Sequence, residues 1–233
     1  MDDKLLRLYF LKQADLWLKD NPLFLNSQEK QKFINDLLKF IDCYTNNQAG
    51  VISDEVYDFL VQRNLIIAQP REEKFLKYLT QKYKSLNNME IMDVGAGRVC
   101  PLSRAMAREG AKVTAIDPNI RLDESVLKKE NIDLLKRYFQ CDQYSTNNIG
   151  TDINKYDLIV GLEPCDATEH IIRQSLKYDK PFDIRLCAAS HKSLDGKKFE
   201  TYEEWYEHLA NISKDVHILN EDQGYIATNN PNL

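Results

Sequence analysis

Residues 90–98 read Glu-Ile-Met-Asp-Val-Gly-Ala-Gly-Arg, and residues 113–117 read Val-Thr-Ala-Ile-Asp. The first run is a short apolar strand that ends in a Gly-x-Gly turn, and the second is an apolar strand that ends on a carboxylate. Residues 101–108 between them fit a helix that begins near Pro101 and stops before Gly110. A strand, a glycine turn, a helix and a second strand with a terminal acid form a nucleotide-binding α/β unit. Glycine lets the backbone turn sharply beside a ligand, and the acid can bind ribose hydroxyls.

The details of the glycine turn separate two classes of cofactor. A dinucleotide-binding turn has a third glycine three residues after the second, where this chain has Cys100. A turn that binds S-adenosylmethionine (SAM) has an acid just before it, as in Asp93-Val94-Gly95-Ala96-Gly97, although Val99 stands where a third glycine is expected. On these residues the chain resembles the class I SAM-dependent methyltransferases over residues 88–233.

The alternation of apolar strands with helices after residue 88 predicts an α/β fold with a mostly parallel sheet. We expect strands at 90–94, 112–116, 137–142, 156–162, 182–188, 215–219 and 224–228, and helices at 101–108, 123–136, 167–176 and 202–212. Only four residues separate the last two strands, which predicts an antiparallel hairpin. The resemblance implies the same architecture, a Rossmann-like methyltransferase sheet closed by a C-terminal hairpin.

Residues 1–87 are predicted to be helical throughout, because apolar residues recur at helical spacing in four segments. Ser53 is a candidate helix cap, and Pro70 suits a first-turn position. We therefore predict an N-terminal all-helical cap, residues 1–87, followed by a SAM-binding domain, residues 88–233. The cap is interpreted either as a lid or substrate-recognition region over the cofactor edge or as a simple packing element.

The composition of the chain limits the classes of protein to which it can belong. A net charge of −5 argues against a broad nucleic-acid surface. Five cysteines without paired metal-ligand spacing favour a reducing compartment, and the four histidines predict no metal site. The N-terminus lacks the order of a signal peptide, and no apolar run approaches the length of a membrane span. We expect a soluble, cytoplasmic protein.

The resemblance also implies which residues hold the cofactor. Asp93 would orient the ammonium group of SAM, and Asp117 would accept hydrogen bonds from the ribose. Asp142, after the predicted third strand, is the candidate for the adenine amino group, although a turn or cap role fits an aspartate there equally well. The full predicted set is Asp93, Gly95, Ala96, Gly97, Asp117, Pro118, Asp142 and Leu162.

The loop after the fourth strand, residues 163–169, should meet the methyl acceptor. Glu163 could orient the acceptor or act as a base. The Pro164-Cys165 pair is similar to that of enzymes that methylate cytosine carbon through a cysteine adduct, which makes Cys165 a candidate nucleophile; a thiol with a packing role is the alternative. The string 162–169 also resembles a loop in a methyltransferase subgroup that includes a tRNA ribose methylase, so RNA stays among the candidate acceptors.

A second loop, residues 190–198, is predicted at the same edge of the sheet and contains one histidine and three lysines. His191 is the candidate for proton transfer. The lysines are either solvated loop residues or an anchor for an anionic acceptor.

Three functional hypotheses follow. The first is a SAM-dependent methyltransferase whose acceptor is RNA, protein or a small molecule. The second is a SAM-binding regulator or scaffold without catalysis, favoured by Val99 and the unusual fourth-strand loop. The third is an NAD-dependent oxidoreductase, disfavoured by the missing third glycine and by the terminal hairpin.

Overall fold

A computed structural model describes residues 3–20, 26–45, 53–63, 65, 70–120, 127–128, 130–140, 153–187, 191–221 and 224–231. The chain divides into two compact units, Met1–Ile67 and Ala68–Leu233. The first is helical, and the second contains a seven-stranded sheet.

The N-terminal unit consists of α1 (Asp3–Asp20), α2 (Ser27–Thr45) and α3 (Asp54–Gln62). Its core is aromatic: the ring of Trp17 lies 5.3 Å from that of Phe33 and 5.6 Å from that of Phe59. Ser53 Oγ accepts a hydrogen bond from Val56 N at 3.5 Å, which confirms the predicted cap of α3. No helix in the described ranges combines the length and the apolarity needed to cross a membrane.

The second unit begins with α4 (Pro70–Tyr83) and continues through β1 (Glu90–Val94), α5 (Pro101–Arg108), β2 (Lys112–Ile116), β3 (Ile132–Leu135), β4 (Leu158–Leu162), α6 (Thr168–Lys177), β5 (Phe182–Arg185), α7 (Tyr202–Ala210), β6 (His217–Glu221) and β7 (Gly224–Thr228). The sheet order is β3-β2-β1-β4-β5-β7-β6. β1 to β5 are parallel, and β7 is antiparallel to both β5 and β6. This arrangement confirms the predicted mostly parallel sheet with an antiparallel C-terminal pair.

The third strand lies earlier in the sequence than predicted. Residues 132–135 form β3 beside β2, whereas we expected a helix over 123–136 and a strand over 137–142. Asn131 adopts a left-handed φ of 58° and its carbonyl accepts from Val113 N, so a helical turn at 127–128 gives way to a strand here. The charged and apolar residues that precede Arg137 fit the periodicity of a helix and that of a strand. Pairing with β2 decides that residues 132–135 form a strand.

A buried polar network ties α4 to the sheet of the second unit. Lys82 Nζ lies 2.7 Å from Asp183 Oδ1 and 2.9 Å from Thr228 Oγ1. The hydroxyls of Tyr78 and Tyr83 donate to the two oxygens of Asp183 at 2.9 and 2.7 Å. Burial and the Asp183 charge raise the pKa of both phenols, so they stay protonated donors. These contacts explain why the compact units divide at residue 67 and not at residue 87.

Candidate functional site

The glycine turn after β1 is held against the end of β2. Gly95 and Gly97 both have φ of +74°, a left-handed conformation that favours glycine. The N–H groups of Gly95 and Ala96 donate to the carbonyl of Ile116 at 2.8 and 3.2 Å. Among the described residues, apart from its two chain neighbours, none has an atom within 4 Å of the position that a Cβ on Gly97 would take, so this part of the structure leaves the backbone open to a ligand there.

Asp117 lies beside this opening, at the end of β2. Its Oδ2 accepts a hydrogen bond from Gly97 N at 3.1 Å, and its Oδ1 accepts one from Asn119 N at 2.7 Å. The residue is half-buried, as is Pro118 after it. A carboxylate can accept about four hydrogen bonds. These two bonds therefore fix the orientation of Asp117 and leave it capacity for two ligand hydroxyls.

Asp93 is the fourth of the five residues of β1 and is 1% exposed. Ser103 of α5 donates a hydrogen bond to its Oδ2 at 2.5 Å, while its Oδ1 is buried and has no hydrogen-bond partner within the described ranges. Burial raises the pKa of Asp93 to about 7; the bond from Ser103 partly opposes the rise, and the Asp117 charge adds to it. An unsatisfied buried carboxylate oxygen is costly, and a ligand ammonium group would satisfy it. Ser103 is not among the residues predicted from the sequence.

The third glycine position of the SAM pattern is part of the core in this chain. Val99 is 1% exposed, and Cys100 after it takes the left-handed φ of 49° immediately before Pro101 starts α5. Burial and nearby carboxylates raise the pKa of the Cys100 thiol, which keeps it protonated.

The loop after β4 packs directly against the glycine turn. Glu163 and Cys165 both have left-handed φ values, 53° and 47°, on either side of Pro164. A Cβ built on Gly95 would stand 2.9 Å from Pro164 Cα, and one built on Gly161 would stand 2.8 Å from Pro164 Cγ. Strained non-glycine residues cluster at functional sites. The fold thus brings together the glycine turn and the loop after β4, which were predicted from the sequence to meet the methyl donor and the methyl acceptor, respectively.

Cys165 does not have the electropositive setting that a thiolate nucleophile needs. Its thiol donates to the Glu163 carbonyl at 3.3 Å. Partial burial, contact with the Cys187 thiol, and the charges of Asp166 and Glu163 raise its pKa to about 11. The thiol is therefore protonated near neutral pH, which argues against the nucleophile role; Cys165 is exposed, so the packing alternative is not supported either.

Glu163 is paired with Arg185, a residue that sequence analysis missed. The Nη1 atom of Arg185 lies 3.2 Å from Oε1 of Glu163, and Glu163 N donates to the Arg185 carbonyl at 2.9 Å. Leu162, the last residue of β4, is in register with Arg185. The available signal was a lone cation inside the apolar fifth-strand pattern, residues 182–188.

The 191–199 segment forms an ordered turn. Ser193 N donates to Lys197 O, Phe199 N donates to His191 O, and Glu169 of α6 accepts from Leu194 N at 2.9 Å. The His191 ring lies 5.3 Å from that of Trp205, and burial lowers its pKa. A neutral imidazole can accept a proton, as the prediction requires. The three lysines of the turn are exposed, as solvated loop residues would be.

Two further predictions concern Asp142 and metal binding. Asp142 lies outside the described residues, and its premise has changed because β3 ends at Leu135, seven residues earlier. Within the described ranges, no group of three or more His, Cys, Asp or Glu side chains is arranged to hold a metal ion.

Comparison with known proteins finds similarity at the level of structure. No protein-family profile matches the sequence, and no curated protein does. A candidate SAM-dependent methyltransferase from Methanococcus maripaludis is 14% identical, with a TM-score of 0.51 over 75% of this chain and 90% of that chain. Magnesium protoporphyrin IX methyltransferase from Synechocystis PCC 6803, with bound SAH (S-adenosylhomocysteine), is 13% identical over 98% of this chain and 97% of that chain, with a TM-score of 0.44. The 16S rRNA N2 G1207 methyltransferase of T. thermophilus is 15% identical over 69% and 43%, with a TM-score of 0.44.

Proposed function

Because this chain has the Rossmann-like fold of the class I SAM-dependent methyltransferases, we propose that it binds SAM and transfers the methyl group to an acceptor. The observation that carries the proposal is the open backbone at Gly97 between two carboxylates, Asp93 and Asp117. Ligands of such sheets bind at the carboxyl ends of the strands, near the point where the strand order reverses. β1 and β4 flank that point here.

The residues present fit SAM at this turn. Asp93 would receive the ammonium group on its unsatisfied Oδ1, and Asp117 would receive the ribose hydroxyls. Gly95, Ala96 and Gly97 would line the backbone cradle, with Pro118 and Leu162 at its sides. When bound, SAM supplies an activated methyl group on a sulfonium. The protein then needs to hold the acceptor in line with that bond and to exclude water.

Glu163 is the proposed orienting group or base for the acceptor, because it joins the β4 loop to Arg185 at the same edge of the sheet. His191 is a second candidate for proton transfer. The N-terminal helices are proposed to take part in substrate recognition. RNA, protein and small molecules all remain candidate acceptors.

One observation favours the scaffold hypothesis as a second candidate. Pro164 packs closely on Gly95 and covers part of the turn. A turn narrowed in this way could hold an adenosyl ligand without admitting an acceptor beside it.

Calorimetric titration with SAM, SAH and NAD tests these alternatives. We expect SAM and SAH to bind and NAD not to bind; binding of NAD alone would exclude the methyltransferase function. Transfer of a radiolabelled methyl group from SAM to RNA, protein or small-molecule fractions of a cell extract tests catalysis. SAM binding without transfer to any of the three fractions would support the scaffold.

A further inference from the structure

We propose that Ser103 is a positioning residue for the methyl donor: its hydroxyl holds one oxygen of Asp93 and leaves the other, Oδ1, to bind the ammonium group of SAM. The inference rests on the proposed function, because it adds to the cofactor site a side chain that does not itself contact the ligand. Three features of the structure support it: the hydrogen bond between the two residues, the state of Oδ1, and the charged groups around Asp93.

Ser103 and Asp93 meet in the interior, between α5 and β1. Ser103 is the third residue of α5 and is fully buried, and Asp93 is 1% exposed. The hydroxyl donates to Asp93 Oδ2 at 2.5 Å, the short end of the range for a hydrogen bond to a charged acceptor. The N–H group of Ser103 also interacts with this carboxyl group. The hydroxyl therefore determines which oxygen of Asp93 faces α5 and which one stays available.

The available oxygen lacks the partner that a buried carboxylate needs. Oδ1 of Asp93 is buried and makes no hydrogen bond to any part of the chain that the structure describes. A buried polar atom without a partner is costly and is rare in folded proteins. An ammonium group carries three N–H donors and a positive charge, so it supplies both the hydrogen bond and the counter-ion.

The charged groups around Asp93 favour a cationic ligand. Asp117 of β2 and the Cys100 thiol before α5 are acidic groups, and β4, the other neighbour of β1, has only apolar residues and a glycine. Arg104 of α5 forms a bidentate pair with Glu130 instead, at 2.8 and 2.9 Å. Over the described ranges, no lysine or arginine forms an ion pair with Asp93. A ligand ammonium is therefore the cation that suits Oδ1.

The hydroxyl of Ser103 also affects the charge of Asp93. Burial raises the pKa of Asp93 to about 7, and the bond from Ser103 opposes this rise because it favours the ionised form. Without the hydroxyl, Asp93 should stay protonated to a higher pH, and a neutral carboxyl group offers an ammonium no counter-charge. Ser103 thus acts on donor binding through both the orientation and the charge of Asp93.

The test titrates the full chain with two ligands, SAH and methylthioadenosine, which has the adenosyl group but no ammonium. Calorimetry should show that Ser103→Ala weakens SAH binding about tenfold near neutral pH and leaves methylthioadenosine binding unchanged. In this variant, the pH below which SAH affinity falls should move upward from the wild-type value of about 7. A role confined to the stability of α5 would not change this pH dependence.

The matched control is Ser175→Ala in α6. Ser175 is also a fully buried helical serine, but its hydroxyl has no hydrogen-bond partner among the described residues. The control should bind both ligands like the wild type.

A second variant keeps the test decisive if Ser103→Ala does not fold. Ser103→Cys has a side chain of similar shape and replaces a strong donor by a weak one, so it should weaken SAH binding about threefold or more and leave methylthioadenosine binding unchanged. The inference is overturned if the folded variant binds SAH with the affinity and pH dependence of the wild type, or if both ligands lose affinity equally. A wild type that does not bind SAH would overturn the proposed function together with this inference, whereas wild-type binding that the Ser103 variants leave unchanged overturns the inference alone.

Discussion

Pro164 and Gly95 are in contact: a Cβ on Gly95 would stand 2.9 Å from both Cα and Cβ of Pro164. This contact joins the turn after β1 to the loop after β4, two segments separated by almost seventy residues of sequence. Gly161 makes room for the same proline from within β4, since a Cβ there would stand 2.8 Å from Pro164 Cγ. The position of Glu163 relative to the glycine turn therefore depends on the Pro164 ring, which packs between Gly95 and Gly161.

Gly161→Ala should lower the free energy of unfolding by about 1–3 kcal/mol, because the added methyl overpacks a filled space. Gly161 does not have a left-handed φ, so the cost comes from space and not from backbone strain. The double variant Gly161→Ala/Pro164→Ala should recover about 1 kcal/mol of this loss, as expected for residues in contact. Urea denaturation of the wild type, the two single variants and the double variant measures the coupling free energy between the two residues. Strictly additive changes in the free energy of unfolding would contradict the contact.

Gly97→Ala should affect ligand binding more than folding. A methyl group at this residue meets no atom of the other described residues within 4 Å, its chain neighbours aside, but it projects into the opening and its left-handed backbone costs about 1–2 kcal/mol. We expect a modest loss of stability and a severe loss of SAH affinity, measured by calorimetry. Retention of full SAH affinity would place the ligand elsewhere.

Asp117→Ala should weaken SAH binding by about 1–3 kcal/mol through loss of charged hydrogen bonds to the ribose. Asp133→Ala, which removes an exposed acid on β3, is the control for net charge. Calorimetry should give the control a dissociation constant close to that of the wild type. Equal affinities in Asp117→Ala and the control would show that Asp117 does not contact the ligand.

SAH binding should depend on pH through Asp93, whose pKa burial raises to about 7. An ammonium group favours the charged carboxylate, so affinity should fall as pH decreases below 7, approaching about tenfold per pH unit because one proton must be released. Asp93→Asn should bind more weakly and lose this dependence between pH 5.5 and 7.5. A wild-type affinity that is constant over this range would contradict the assigned role.

The same raised pKa has an opposite effect on the stability of the unliganded protein. Unfolded Asp93 releases its proton near pH 3.8, whereas the folded protein retains it up to about pH 7. The contribution of Asp93 to the free energy of unfolding should therefore decrease as pH rises from 4 to 7. Comparing wild type with Asp93→Asn in urea across this range isolates the contribution.

Asp183→Ala should lower the free energy of unfolding of the second unit by about 3–5 kcal/mol, because it leaves the Lys82 ammonium buried without its counter-ion. Glu90→Gln is the control: it breaks an ion pair with Lys112 whose side chains are 39% and 60% exposed. Surface pairs of this kind contribute about 0–1 kcal/mol. Comparable losses in the two variants, measured by urea denaturation, would mean that the Lys82–Asp183 pair is not buried in solution.

Cys165 should react slowly with iodoacetamide at pH 7.5, because a thiol with a pKa of about 11 is almost entirely protonated. The thiolate fraction is roughly three hundredfold lower than that of free cysteine, whose pKa is about 8.5. Peptide mass spectrometry of the labelled protein, with free cysteine as reference, measures the rate. Cys165→Ser should retain methyl transfer, and a complete loss would restore the nucleophile hypothesis.

The sequence by itself determined the local elements of this protein. β4 is a continuous apolar run, β1 is apolar apart from Glu90 and Asp93, and the left-handed turn at Gly95 and Gly97 favours residues without a Cβ. The four-residue separation near the C-terminus was enough to predict the antiparallel pairing of β6 with β7. These features could be predicted because they depend on neighbours in the chain.

Tertiary structure decided what depends on distant residues. Residues 132–135 become a strand because β2 offers a partner, and α4 joins the second unit because Asp183 and Thr228 receive Lys82. Arg185 meets Glu163, and Pro164 meets Gly95, only when parallel strands bring their carboxyl ends to one edge. The raised pKa of Asp93 likewise comes from burial, which the order of residues along the chain does not specify.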